Sequence, residues 1–96
     1  MKPTQAIAAA LAHFDNSPTA LATAIGGGVK RQNVEYWIAA GHVPGVHAPG
    51  VERAVKGLVP CESLTTDAVR WARIPDKSWP WHKQGRPVLD VTRAAA

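Results

Sequence analysis

Three consecutive glycines, Gly26, Gly27 and Gly28, separate two segments of helical periodicity, which restricts this part of the chain to short helices joined by a tight turn. Upstream, Leu21, Ala22 and Ile25 form the inward face of a predicted helix over 18–25. Ser17 is placed as its N-cap and Pro18 as its first residue, where a missing N–H costs nothing. Downstream, Val34, Trp37 and Ile38 supply the buried face of a predicted helix over 30–40, closed by Gly41. The triplet is not a phosphate-binding loop of the G-x-x-x-x-G-K-[ST] kind. "GGGVKRQ" has neither the spacing nor the hydroxyl residue, and a helix precedes it where a strand is needed.

The same reasoning extends along the chain. Ile7, Leu11 and Phe14 mark one face of a helix over 4–14, with Thr4 as its cap and "DNSP" as its stop. "HVPGVHAPG" reads as a loop. A short helix over 50–56 turns Val51, Ala54 and Val55 inward and ends at Gly57. A helical turn near Cys61 includes Leu64, and another is predicted from Asp67 to Arg73. Beyond Ile74 three prolines interrupt a polar stretch with little periodicity, which predicts an extended, poorly ordered tail; "VLDV" is too short to read as a strand. The expected architecture is all-α: about five short helices in a domain over 1–74, followed by an extended C-terminal tail over 75–96.

With 96 residues the chain makes one small domain, and a hydrophobic share of 46% rules out wholesale disorder. Much of that share is alanine, so the core rests on a few large residues. The formal net charge of +4 favours an anionic partner, with nucleic acid the first candidate. The single cysteine, Cys61, excludes a disulfide framework and suits a reducing compartment. No apolar run approaches the roughly 20 residues of a membrane helix. The N-terminal apolar stretch is interrupted by His13 and followed by Asp15, so it reads as a helix rather than a signal peptide, and the expected location is cytoplasmic.

Two short helices across a tight turn suggest a helix-turn-helix, whose second helix lies in the DNA major groove with its N-terminal residues at base edges. Those residues are Lys30, Arg31 and Gln32, with Glu35 and Tyr36 one turn on. Arg can bond guanine O6 and N7, and Gln adenine N6 and N7, each through two hydrogen bonds. Candidate phosphate contacts are Ser17, Thr19, Asn33 and His42, with Lys2 as a further one. On charge pattern alone, "KRQNVEY" is equally a solvated helix face.

The stretches "LATAIG" from Leu21, "VKRQNVEYW" from Val29, "VERAV" from Val51 and "CESLTTDAVRW" from Cys61 resemble the YdaS/Cro-like transcriptional regulators of phages and prophages. The resemblance spans roughly residues 5–73. It implies a lambda-repressor-like domain and a dimeric repressor on an operator, acting in the bacterial nucleoid or in the host cytoplasm. It carries the recognition-helix positions onto Lys30, Arg31, Gln32, Glu35 and Tyr36. Some relatives are labelled antitoxins, which implies the alternative of a module whose C-terminal tail binds a protein partner. The chain departs from the family in two extra turn glycines, in Pro60 and Thr66, and in Pro18. Many relatives have at that last position a Gln that holds a phosphate, which leaves the contact to Ser17, Thr19 and helix N–H groups.

Other constellations are weaker. His42 and His47 loosely match a zinc-ligand spacing, but only one cysteine is available and no fourth ligand stands out, so no metal or cofactor is expected. Cys61 with a histidine would make a nucleophile pair, but no orienting partner is evident and Cys61 reads as a small buried residue, so no enzyme is expected. Trp79 and Trp81 are too apolar for a solvated tail. They either fold back on the domain, pack across a dimer, or bind another protein, and the nearby Lys77, Lys83 and Arg86 would equally suit an arm along DNA.

Overall fold

The computed structural model describes residues 2–66 and 70–89. Helix α1 (Pro3–His13) starts one residue before its expected position, with Pro3 in the first turn and the Gln5 Oε1 accepting the Lys2 N–H at 3.0 Å. Thr4 therefore lies inside the first turn rather than capping it. Ala6, Ile7 and Ala10 are buried, with Leu11 and Phe14 packed at the edge of the core. The chain then reverses through Asp15 and Asn16, both with positive φ (55° and 60°), a conformation their short polar side chains tolerate.

Helix α2 (Pro18–Ile25) is capped as expected: the Ser17 Oγ accepts the Ala20 N–H at 3.1 Å. Leu21, Ala22 and Ile25 are buried. The glycine triplet follows, with φ of 69°, 63° and 83°, and leads into α3 (Arg31–Ala40). A Cβ on Gly27 would meet nothing within 4 Å, so the residue is there for backbone conformation, not for space. Gly27→Ala is therefore expected to cost about 1–2 kcal/mol, the penalty of a left-handed alanine, read as a lower urea midpoint with unchanged slope.

Helix α4 (Ala48–Ala54) begins two residues earlier than expected, because Pro49 sits in the first turn, where no helical bond is lost. Ala48, Val51 and Val55 are buried, Ala54 only partly so. The Arg53 guanidinium donates to the Ile25 carbonyl at 2.9 Å, tying α4 to the C-terminal end of α2. A 3₁₀ turn at Cys61–Ser63 follows, with Cys61 and Leu64 fully buried. The core thus gathers α2, α3, α4 and the 3₁₀ turn around Leu21, Val34, Trp37, Val51, Val55 and Leu64.

A two-stranded antiparallel sheet corrects the all-α expectation. Strand β1 (Trp71–Ile74) pairs with β2 (Arg86–Leu89) in the register Trp71↔Leu89, Ala72↔Val88, Arg73↔Pro87 and Ile74↔Arg86. Of the helix expected over Asp67 to Arg73, residues 67–69 lie outside the described residues and Trp71 to Arg73 are strand. The expected tail is likewise a turn and a strand as far as Leu89; residues 90–96 lie outside the described residues. Proline is tolerated at 87 because both strands are edges, where a ladder N–H can be dispensed with. Among the described residues no helix is long and apolar enough to cross a membrane.

Candidate nucleic-acid interface

Two buried side chains fix the orientation of α3. Val34 is fully buried and Trp37 nearly so, and the Trp37 ring lies 5.3 Å from that of His47, the residue preceding α4. Lys30 precedes the helix in extended conformation, and the Asn33 Oδ1 accepts its N–H at 2.9 Å. Gly41 closes α3 in the left-handed conformation, its N–H bonded to the Trp37 carbonyl at 2.9 Å.

With Val34 and Trp37 inside, 100° steps around the helix put Gln32 at the centre of the outward face, flanked by Glu35 and Tyr36, with Arg31 toward one edge. All four are exposed, as is Lys30; Tyr36 is 71% exposed despite its size. Ile38 is the correction here. The sequence spacing puts it in the buried face, but it is 43% exposed, because it lies on the Arg31 edge of the helix and lines a groove with Thr4, Ile7, Ala8 and Leu11.

Arg31 donates through Nε to the Glu35 Oε1 at 2.7 Å, both side chains largely in solvent. An exposed pair of this kind contributes only some tenths of a kcal/mol. Its consequence is geometric. Glu35 occupies the Nε edge and leaves Nη1 and Nη2 without a partner among the described residues. Those are the two parallel donors that a bidentate contact to a guanine edge uses.

The phosphate candidates are spread over the two helices. Ser17 Oγ accepts the Ala20 N–H with one of its two lone pairs and keeps its hydroxyl proton to donate, while Thr19 is exposed on the first turn of α2. Asn33 has its oxygen committed to Lys30 and retains its NH₂. His42 is half-buried just past Gly41. A ten-residue helix is about 15 Å long, so His42 and Lys30 stand at opposite ends of α3 and do not share one phosphate. His42, His47 and Cys61 are not gathered into a ligand set among the described residues.

A second polar cluster escaped the sequence reading. Glu52, with no exposed surface, takes a bidentate pair from Arg73 (Nη1 to Oε2 at 2.9 Å, Nη2 to Oε1 at 2.7 Å). It also accepts the Cys61 N–H at 2.8 Å and the Trp79 indole N–H. Arg73 reaches the partly exposed Glu62 at 2.5 Å and the Gly85 carbonyl at 3.0 Å. Burial opposes the charge on Glu52, yet Arg73 and the two N–H donors outweigh it and hold the carboxyl below its ordinary range. Burial likewise opposes the charge on Glu62, and Arg73 likewise prevails. Burial, reinforced by Glu62, pushes the Cys61 thiol up, so it stays protonated. Donor atoms of Glu52, Cys61 and Glu62 lie within 4.8 Å of one another, but the guanidinium already supplies their cation.

The signal for Glu52 was present in the sequence. Ala48, Val51, Glu52 and Val55 form one i, i+3, i+4, i+7 stripe, with Glu52 nearer its centre than Ala54. The cluster also places the tryptophans: Trp79 is bonded to Glu52 and lies 5.2 Å from Trp81, which packs on Gly57. Of the roles open to these indoles, folding back on the domain is the one observed.

Comparisons with protein-family models, with curated proteins and with solved structures found no match to the chain.

Proposed function

We propose that the protein is a sequence-specific double-stranded DNA-binding transcriptional regulator, a Cro-like repressor of the phage or prophage type, acting as a homodimer on an operator. One observation supports this most. A helix locked by Val34 and Trp37 presents, on its opposite face, a set of side chains suited to base edges, committed only by the Arg31–Glu35 pair, at the end of a glycine turn from a capped helix. In this reading α2 and α3 are the helix-turn-helix. Gln32 and the Nη edge of Arg31 read bases, Lys30, Glu35 and Tyr36 line the reading face, and Ser17, Thr19, Asn33 and His42 position the backbone. A dimer places two copies of α3 about one helical turn of DNA apart, so the operator is an inverted repeat.

The test is fluorescence anisotropy on the duplex immediately upstream of the gene against a scrambled duplex. A preference of about 10³-fold or more is expected. Arg31→Ala and Gln32→Ala should each relax preference at one or two base positions, by about 1–3 kcal/mol, with little change on scrambled DNA. Parent-like discrimination by both variants would remove α3 from the reading role.

A further inference from the structure

The loop joining β1 to β2, residues 75–85, is built rather than loose. Asp76 accepts the Ser78 N–H at 2.9 Å and its hydroxyl at 2.6 Å, His82 Nδ1 accepts the Gln84 N–H at 3.1 Å, and the Gly85 N–H reaches the His82 carbonyl at 3.2 Å. On the inner side Trp79 is bonded to Glu52 and Trp81 lies against Gly57. The indoles are thus turned inward, and the cations are left outside.

The charges around the loop are unevenly satisfied. Asp76 is engaged by Ser78 and, at 3.2 Å, by Arg86; Glu52 and Glu62 are engaged by Arg73. Lys77 and Lys83 are exposed and have no ion-pair partner among the described residues. Together with Trp79, Pro80, His82 and Asp76 they line a shallow open cleft of about 440 Å³. Two ammonium groups on flexible stems are point charges without a planar fork, which suits holding a polyanion's backbone and not reading bases.

At its N-terminal end α4 is preceded by His47, against the Trp37 ring of α3; just past its C-terminal end Gly57 carries Trp81. Seven helical residues span about 10 Å, so α4 holds the anchor of the loop apart from α3.

We propose that the 75–85 loop is a second DNA contact, gripping the sugar-phosphate backbone through Lys77 and Lys83. This rests on the DNA-binding reading above.

The experiment compares the intact chain with Lys77→Ala/Lys83→Ala on the upstream and scrambled duplexes across salt concentrations. Both lysines are exposed, so the thermal midpoint should not move. The variant should bind both duplexes more weakly by a similar factor and keep its base preference. Its plot of log affinity against log salt should be shallower by about 2, so that the parent's advantage shrinks about tenfold between about 50 and 200 mM salt. An unchanged slope and affinity, with the parent still preferring the upstream duplex, would overturn the loop contact and leave α3 in place. If the parent binds neither duplex, the DNA reading fails and the loop contact falls with it.

Discussion

Replacing Arg73 with methionine is expected to remove about 3–5 kcal/mol of stability, much of what a domain this small possesses. The loss comes less from the missing attraction than from what remains. Glu52 has no exposed surface, and without the guanidinium its carboxylate is a buried charge facing only the Cys61 and Trp79 N–H donors. Urea denaturation reads the effect. Adding Glu52→Gln should recover part of the loss: the uncompensated charge is gone, although the two bonds end on different carboxylate oxygens and the amide oxygen accepts only one of them. If the double variant is no better than Arg73→Met alone, the penalty lies in packing and not in charge.

The pH dependence of the two proteins should run in opposite directions. In the parent, the Glu52 carboxyl sits below its ordinary value of 4.5, so near that pH the unfolded chain binds more protons than the native one. Its contribution is complete above that value and is lost as pH falls through the lower native one. In Arg73→Met, burial is left with less to oppose it and the carboxyl rises above 4.5. The native state then binds the extra proton, and acidification from neutral pH restores stability. Parallel pH profiles for the two proteins would show that Arg73 does not hold Glu52 ionised.

What could be read from the sequence followed short-range rules. The Ser17 cap, the glycine exit from α2, the burial of Val34 and Trp37 on α3 and that of Leu64 just after the 3₁₀ turn each depend on residues within a few positions. So does the exposed set Lys30, Arg31, Gln32, Glu35 and Tyr36, which is simply the complement of that buried face. The hairpin was not legible, for a physical reason. Neither strand carries an alternating pattern, and Pro87 argues against a strand wherever the sheet's edges are unknown. What holds β2 beside β1 is partly Arg73, and Arg73 points inward because Glu52 lies buried 21 residues earlier in the chain. No local window contains both. The tryptophans show the same limit: two indoles in a proline-rich stretch signalled a need for burial, but not which surface would cover them.

Gly85→Ala is expected to prevent the hairpin from closing as it does now, at a cost of about 3–5 kcal/mol from backbone strain and overlap together. Gly85 has a φ of 97°, and a Cβ built on it would stand 1.9 Å from the Ile74 carbonyl oxygen and 2.8 Å from the Pro75 Cα. Both obstacles are backbone at the mouth of the loop, so neither can swing aside as a side-chain tip would. Gly27 supplies the control. Its φ is also positive, at 63°, but its Cβ would enter open space, so Gly27→Ala pays for conformation alone. The difference between the two midpoints measures the overlap. It should exceed about 1 kcal/mol and be accompanied, for Gly85→Ala only, by a changed tryptophan emission as Trp79 leaves Glu52. Equal losses for the two variants, with parent-like emission in both, would mean that Ile74 and Pro75 can shift to make room. The close approach of the strands would then not be what requires glycine at 85.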